Sequence, residues 1–177
     1  MLTVVHETTR IETVTGDITQ QDDLDAVVNA ANAQLMPGGG VAGAIHRAAG
    51  EELVAACRPL APISPGQAVV TPAFNMPNRW IIHCLGPRFG IDEPADTLLA
   101  DCYRNALQLT AQYGIQSVGF PALSTGAFGY PFRDAARVAV QGVDDALETL
   151  GEPPRLVRFV FFSEADRHAF DDVLKTG

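Results

Sequence analysis

Cysteine is scarce: Cys57, Cys84 and Cys102 are the only three in 177 residues, and no two form a C-x-x-C pair. That excludes a disulfide framework and a cysteine-rich zinc site, and leaves three small buried hydrophobes of a reducing compartment. Basic residues are also in deficit, 12 Lys and Arg against 21 Asp and Glu, for a net charge of −9. A groove that tracks a nucleic-acid backbone needs a basic stripe, and none is visible, so no nucleic-acid polymer is expected as a partner. No apolar run reaches membrane-spanning length, and "MLTVVHETTR" lacks the basic-then-apolar order of a leader. The expectation is a cytoplasmic protein that does not engage a membrane. Neither the G-x-x-x-x-G-K phosphate loop nor the G-x-S-x-G nucleophile elbow occurs, which argues against a P-loop NTPase and a Ser–His–Asp hydrolase. No metal-ligand constellation is evident, so neither a metal nor a cofactor is expected.

What is present is ample apolar material, 47% of the residues, enough for one compact domain over residues 1–177. "TVVHE" and "RIETVTG" read as two strands joined through Thr8–Thr9, and "DAVVNA" as a short strand buried on both faces. Helical spacing from Gly43 to about Cys57 ends at Pro59. "GQAVVTPAF" and "RWIIHCLG" form a second hairpin through "NMPN". Leu98, Cys102, Ala106 and Leu109 share a face of a helix over 95–113, closed by Gly114. "IQSVGFPAL" is strand-like, 134–150 helical and "RLVRFVFF" a last buried strand. A final helix starts at Ser163, with Asp166 in capping-box position. Paired strands early and strand–helix alternation later imply an α/β fold, a mixed sheet with helices on both faces.

Two strand-to-helix junctions carry glycine-rich loops, Gly38–Gly43 and Ser124–Gly129. Ligands of open α/β sheets sit outside the carboxyl ends of strands, so two such loops could grip one extended ligand. Gly38, Gly40 and Gly43 satisfy G-x-G-x-x-G, but they come about nine residues after the strand and lack the later acidic partner, so a Rossmann site is not expected. Asp17, in "TGDIT", either caps a short helix or accepts from an exocyclic amine such as that of adenine. Asn29 and Asn32 either satisfy loop backbone or meet a hydroxyl-rich sugar, since each amide both donates and accepts. Ser124 and Thr125 have the setting of turn or cap hydroxyls rather than nucleophiles. His46 and His83 read as packed, satisfied histidines.

"GDIT" at 16–19, "VVNAAN" at 27–32, "GGGVAGAIHRAAG" at 38–50 and "PALSTGAFGYP" at 121–131, with "IIHCLGP" at 81–87, together resemble a macro domain in order and spacing. The resemblance covers nearly the whole chain. It implies a three-layer α/β/α sandwich with a mostly parallel central sheet and a cleft for ADP-ribose. Asp17, with Ile18 beside it, is then expected at the adenine amine and Phe162 against the ring. Gly38, Gly39, Gly40, Val41 and Ala42 on one loop, and Ser124, Thr125, Gly126, Ala127 and Phe128 on the other, would wrap the diphosphate and distal ribose. Asn29 and Asn32 would face that ribose as the catalytic pair.

One position departs from the pattern. The hydrolase branch of bacteria and mitochondria usually reads "GGGVDGAIH", with the aspartate assigned to activating water; here that residue is Ala42. "GGGVAG" is similar instead to viral macro domains and to some that only bind. The resemblance therefore implies a monomeric hydrolase that removes mono-ADP-ribose from acidic side chains, or deacetylates O-acetyl-ADP-ribose, with mono-ADP-ribosylated proteins as partners. The alternative it leaves is a non-catalytic reader of ADP-ribose.

Overall fold

The computed structural model describes residues 1–176. Seven strands form one sheet: β1 (Leu2–His6), β2 (Thr9–Thr15), β3 (Ala26–Ala30), β4 (Ala68–Pro72), β5 (Trp80–Cys84), β6 (Ser117–Phe120) and β7 (Leu156–Phe161). Their order across the sheet is β1-β2-β7-β6-β3-β5-β4. The four inner pairings are parallel. Only the hairpins at the two edges, β1–β2 and β4–β5, are antiparallel. The sheet is thus mixed but mostly parallel. Every residue of β6 and β7 is buried, because helices cover both faces there.

Five α-helices accompany the strands: α1 (Gly40–Ala49), α2 (Glu52–Cys57), α3 (Ala95–Tyr113), α4 (Phe132–Thr149) and α5 (Glu164–Thr176). Alternation along the strands splits the core in two. Val28, Ile82, Val118 and Phe120 face one way, onto Leu99, Tyr103 and Leu107 of α3, Val140 and Val143 of α4, and Phe170 of α5. Val27 and Ile81 face the other way, onto Ile45 and Ala49 of α1 and Leu53 and Cys57 of α2. This is a three-layer α/β/α arrangement. All three cysteines are free and buried. No helix among the described residues is long and apolar enough to cross a membrane.

The structure departs from the sequence expectations in details of backbone. The first turn lies at Glu7–Thr8, with Glu7 at φ 56, one residue before the expected position. The helix expected over 43–57 is two helices. Gly50 takes φ 93 between them, and Asn75 donates its N–H to the Ala49 carbonyl, 3.1 Å away, where the helix would have continued. A conformation open to glycine ended the helix long before Pro59 did.

Candidate functional site

The parallel strands β2, β7, β6 and β3 end on the same edge of the sheet, and a cleft of about 510 Å³ runs along that edge. Strand order sets the sequence of its walls. Gly16 and Ile18 follow β2, Val160 to Phe162 close β7, the loop 121–128 follows β6, and Ala30 ends β3 with Ala31 and Asn32 just beyond it. The start of α1, from Gly38 to Ala42, lies over the β3 end.

Helix α1 enters the cleft uncapped. Gly39 offers no side chain to its first turn, and the first intrahelical bond runs from Gly43 N to Gly39 O at 3.3 Å. The N–H groups of Gly40, Val41 and Ala42 therefore have no helical partner and carry the positive end of the helix dipole. Gly40 takes φ 57, a left-handed conformation that admits glycine cheaply. A side chain on Gly43 would strike the Gly38 carbonyl oxygen, so that glycine lets the loop fold onto its own helix.

The loop after β6 faces α1 across the cleft. Tyr130 N donates to Ser124 O at 2.9 Å and Gly129 N to Gly126 O at 3.0 Å, which closes the loop on itself. These bonds leave the N–H groups of Gly126, Ala127 and Phe128 unused. Ser124 has φ 66 and is buried, and its hydroxyl donates to Pro87 O at 2.9 Å. Thr125 Oγ1 donates to Ala122 O at 2.8 Å. Both hydroxyls hold the loop in place, and neither is paired with a base. Two sets of main-chain donors thus converge on one cleft that no Lys or Arg lines among the described residues. Such an arrangement binds an anion without a cationic side chain.

The sequence model of the Macro domain family matches residues 28–139. The chain belongs to the macro domain family. A Cronobacter sakazakii protein named O-acetyl-ADP-ribose deacetylase is 49% identical over 160 residues, covering 88% of both chains. A macro domain-containing protein of Streptomyces griseus is 47% identical over 173 residues, covering 93% of this chain and 94% of its own. Among solved structures, the Oceanobacillus iheyensis macrodomain with ADP superposes with a TM-score of 0.93 at 38% identity, covering 99% of this chain and 95% of that one. The Trypanosoma brucei macrodomain in complex with ADP-ribose gives a TM-score of 0.85 at 35% identity, covering 94% of this chain and 69% of that one.

In this macro domain the two asparagines have different environments. Asn32 lies just past β3 and lines the cleft, its amide spanning the Met36 backbone: Nδ2 donates to Met36 O at 2.8 Å and Oδ1 accepts from Met36 N at 3.0 Å. Asn29 does not line it. Being inside β3, it points into the sheet face and is 1% exposed. Its Nδ2 donates to His83 Nδ1 at 3.0 Å, and His83 Nε2 lies 2.9 Å from Thr71 Oγ1. Burial, with the nearby His46 adding to it, pulls the His83 pKa down to about 3, so the ring is neutral. With Nδ1 accepting, Nε2–H donates to Thr71. Of the two asparagines expected at the reacting sugar, only Asn32 lines the cleft; Asn29 is buried in the sheet face.

His46, on α1, is buried with neither ring nitrogen hydrogen-bonded, and burial lowers its pKa. It is packed but not satisfied, unlike His83. Asp17 also stands outside the cleft lining, although its neighbours Gly16 and Ile18 are in it. Its Oδ1 caps the short 3-10 turn Ile18–Gln20, accepting from Thr19 N at 2.8 Å and Thr19 Oγ1 at 2.7 Å. Phe162 is 68% exposed at the β7 end of the cleft. Burial pushes the Cys57 and Cys102 thiols up to about 11 and about 12, which suits packing and not nucleophilic attack.

The described residues that could hold a metal lie elsewhere. Ligand atoms of His6, Glu7 and Glu148 fall within 4.8 Å of one another. They sit where β1 ends, β2 starts and α4 ends, the edge of the sheet opposite the cleft. His6 there already faces Asp144 at 3.5 Å and Glu148 at 3.2 Å.

Of the cleft residues that the sequence reading did not name as site residues, one has an ionisable side chain. Asp166 lines the β7 end beside Phe162. Its spacing from Ser163 marked it only as a cap, and its N–H does donate to Ser163 Oγ at 3.1 Å. No sequence signal gave its carboxylate a second role. That requires knowing that α5 begins at the cleft mouth.

Proposed function

We propose that this chain binds ADP-ribose and hydrolyses ester bonds at its distal ribose. The substrates are O-acetyl-ADP-ribose and proteins mono-ADP-ribosylated on acidic side chains. The single observation that carries the reading is the convergence of unused N–H groups from α1 and from the loop 126–128 on a cleft without a cation. Those donors suit a pyrophosphate. The cleft has an aromatic end at Phe162 for a nucleobase and an amide end at Asn32 for a sugar. Relatives include a protein named O-acetyl-ADP-ribose deacetylase and macrodomains solved with ADP and with ADP-ribose.

The magnitudes are adequate. Hydrogen bonds to a charged group contribute about 1.5–3 kcal/mol each, and a helix N-terminus adds up to ~2 kcal/mol. Five or six such contacts exceed the roughly 8 kcal/mol of a micromolar complex and leave a margin for the freedom lost on binding.

In the proposed chemistry, water attacks at the ester and the ribose or carboxylate oxygen leaves. Ala42 offers no carboxylate, and an amide is not a base, so Asn32 orients a ribose hydroxyl or the water. A pyrophosphate oxygen of the substrate takes the proton from the water and returns it to a leaving ribose oxygen, whereas a leaving carboxylate needs none. Ala42 also favours a second reading, a binding-only macro domain. Incubation with a protein mono-ADP-ribosylated on Glu separates them: free ADP-ribose appears if the chain is a hydrolase, while micromolar binding without release identifies a reader. AMP, lacking the pyrophosphate and distal ribose, is expected to bind far more weakly than ADP-ribose; calorimetry giving equal affinities would refute the two-loop grip.

A further inference from the structure

We infer that Asp166 selects which nucleotide the cleft admits: its carboxylate accepts from the free vicinal hydroxyls of the ribose next to the base and rejects a ligand phosphorylated there. The inference rests on the proposed ADP-ribose reading and deepens it. Among the described residues lining the cleft, Asp166 is the one ionisable side chain. A negative charge in a cleft whose main-chain donors suit a dianion weakens binding unless it meets donors of its own.

Its position says which donors. Asp166 is on the first turn of α5, directly after β7, and it shares the β7 end of the cleft with Phe161 and Phe162. The anion-binding amides come from the β6 loop and α1, farther along the strand order. A ligand with its base against Phe162 and its pyrophosphate at α1 places the intervening ribose between them, beside Asp166. Two carboxylate oxygens match two adjacent hydroxyls, the recognition that acidic residues perform on the ribose of dinucleotides, where an arginine takes over if the ribose is phosphorylated.

The carboxylate is free for this task. It accepts no hydrogen bond and joins no ion pair among the described residues, although its own N–H is used by Ser163. The adjacent Arg167 does not pair with it, donating instead to Thr15 Oγ1 at 2.9 Å and to Asp171 Oδ2 at 3.3 Å. The side chain is exposed, so replacing it leaves the core intact.

The test is a pair of dissociation constants, for ADP-ribose and for ADP-ribose carrying a 2′-phosphate on the adenosine ribose, measured on wild type, Asp166→Asn and Asp166→Arg. Wild type is expected to bind the 2′-phosphorylated compound at least tenfold more weakly. Asp166→Asn should bring the ratio within threefold, and Asp166→Arg should invert it, with both variants folded by thermal melt. A wild-type ratio near one with ADP-ribose bound overturns this inference alone. A tenfold ratio that persists in Asp166→Asn does the same, because the discrimination then lies elsewhere. Failure of wild type to bind ADP-ribose at all overturns the functional reading as well.

Discussion

Glycines that look alike in the sequence do different work in the structure. A Cβ on Gly39 or Gly126 would meet nothing within 4 Å, and neither has positive φ, so the unliganded fold accepts a side chain at both. Gly39→Val and Gly126→Val should fold normally and bind ADP-ribose at least tenfold more weakly, about 1.4 kcal/mol. Gly40 has φ 57, and Gly40→Val should instead cost about 1–3 kcal/mol of stability. Calorimetry and thermal melts on the three variants check the contrast; normal binding by a folded Gly39→Val would place that loop away from the ligand. Under the proposed mechanism, in which the Asn32 amide positions the reacting sugar, Asn32→Ala should lower kcat more than it weakens ADP-ribose binding. Equal losses in kcat and affinity would make it an anchor. Asn29 and Asn32 could not be told apart from spacing. The difference is that Asn29 is still inside β3, where side chains alternate into the packed faces, and Asn32 is beyond it.

At the scale of elements, most of the chain was legible because its strands and helices carry strong periodicity. The helix at 95–113 and the strand at 156–161 are where the apolar pattern put them, the strand being buried throughout. The split between α1 and α2 was not legible, since it depends on Asn75, distant in sequence, taking the carbonyl that the helix would have used. Strand β5 carries a pH dependence of its own. His83 is held neutral, with a pKa near 3 against 6.5 for the exposed ring. Below pH 6.5 the unfolded chain takes up a proton that the folded one refuses, so the stability this site gives is complete above pH 6.5 and lost as pH falls toward 3. Between pH 7 and 5 the loss is about 2 kcal/mol, and buried His46 acts in the same direction. Urea unfolding at both pH values should show that decrement in wild type and a smaller one in His83→Gln. Identical decrements would mean that His83 is not the titrating group.

For the whole molecule, the sequence reading reached the class of the fold and the two edge hairpins, and it stopped at long-range pairing. That β2 lies parallel to β7, in register from Arg10 with Leu156 to Thr15 with Phe161, is a long-range fact that local pattern does not hold. That pairing brings Ile18 and Phe162 to the same end of the cleft, and with them Asp166. Binding at the cleft should stabilise the whole chain: ADP-ribose at a hundred times its Kd adds about 2.7 kcal/mol, a rise in Tm of roughly 5–10 °C for a chain of this size. A Tm that ADP-ribose leaves unmoved would argue against a site formed only by the folded chain. The most direct test of the account is the time course of O-acetyl-ADP-ribose with wild type and Gly39→Val, followed by mass spectrometry at substrate well below the wild-type KM, where a loss of affinity lowers turnover. The account predicts conversion to ADP-ribose and acetate by wild type well above the buffer rate, and little by the folded variant. Wild-type protein that binds the ester yet leaves it to decay at the buffer rate would contradict it.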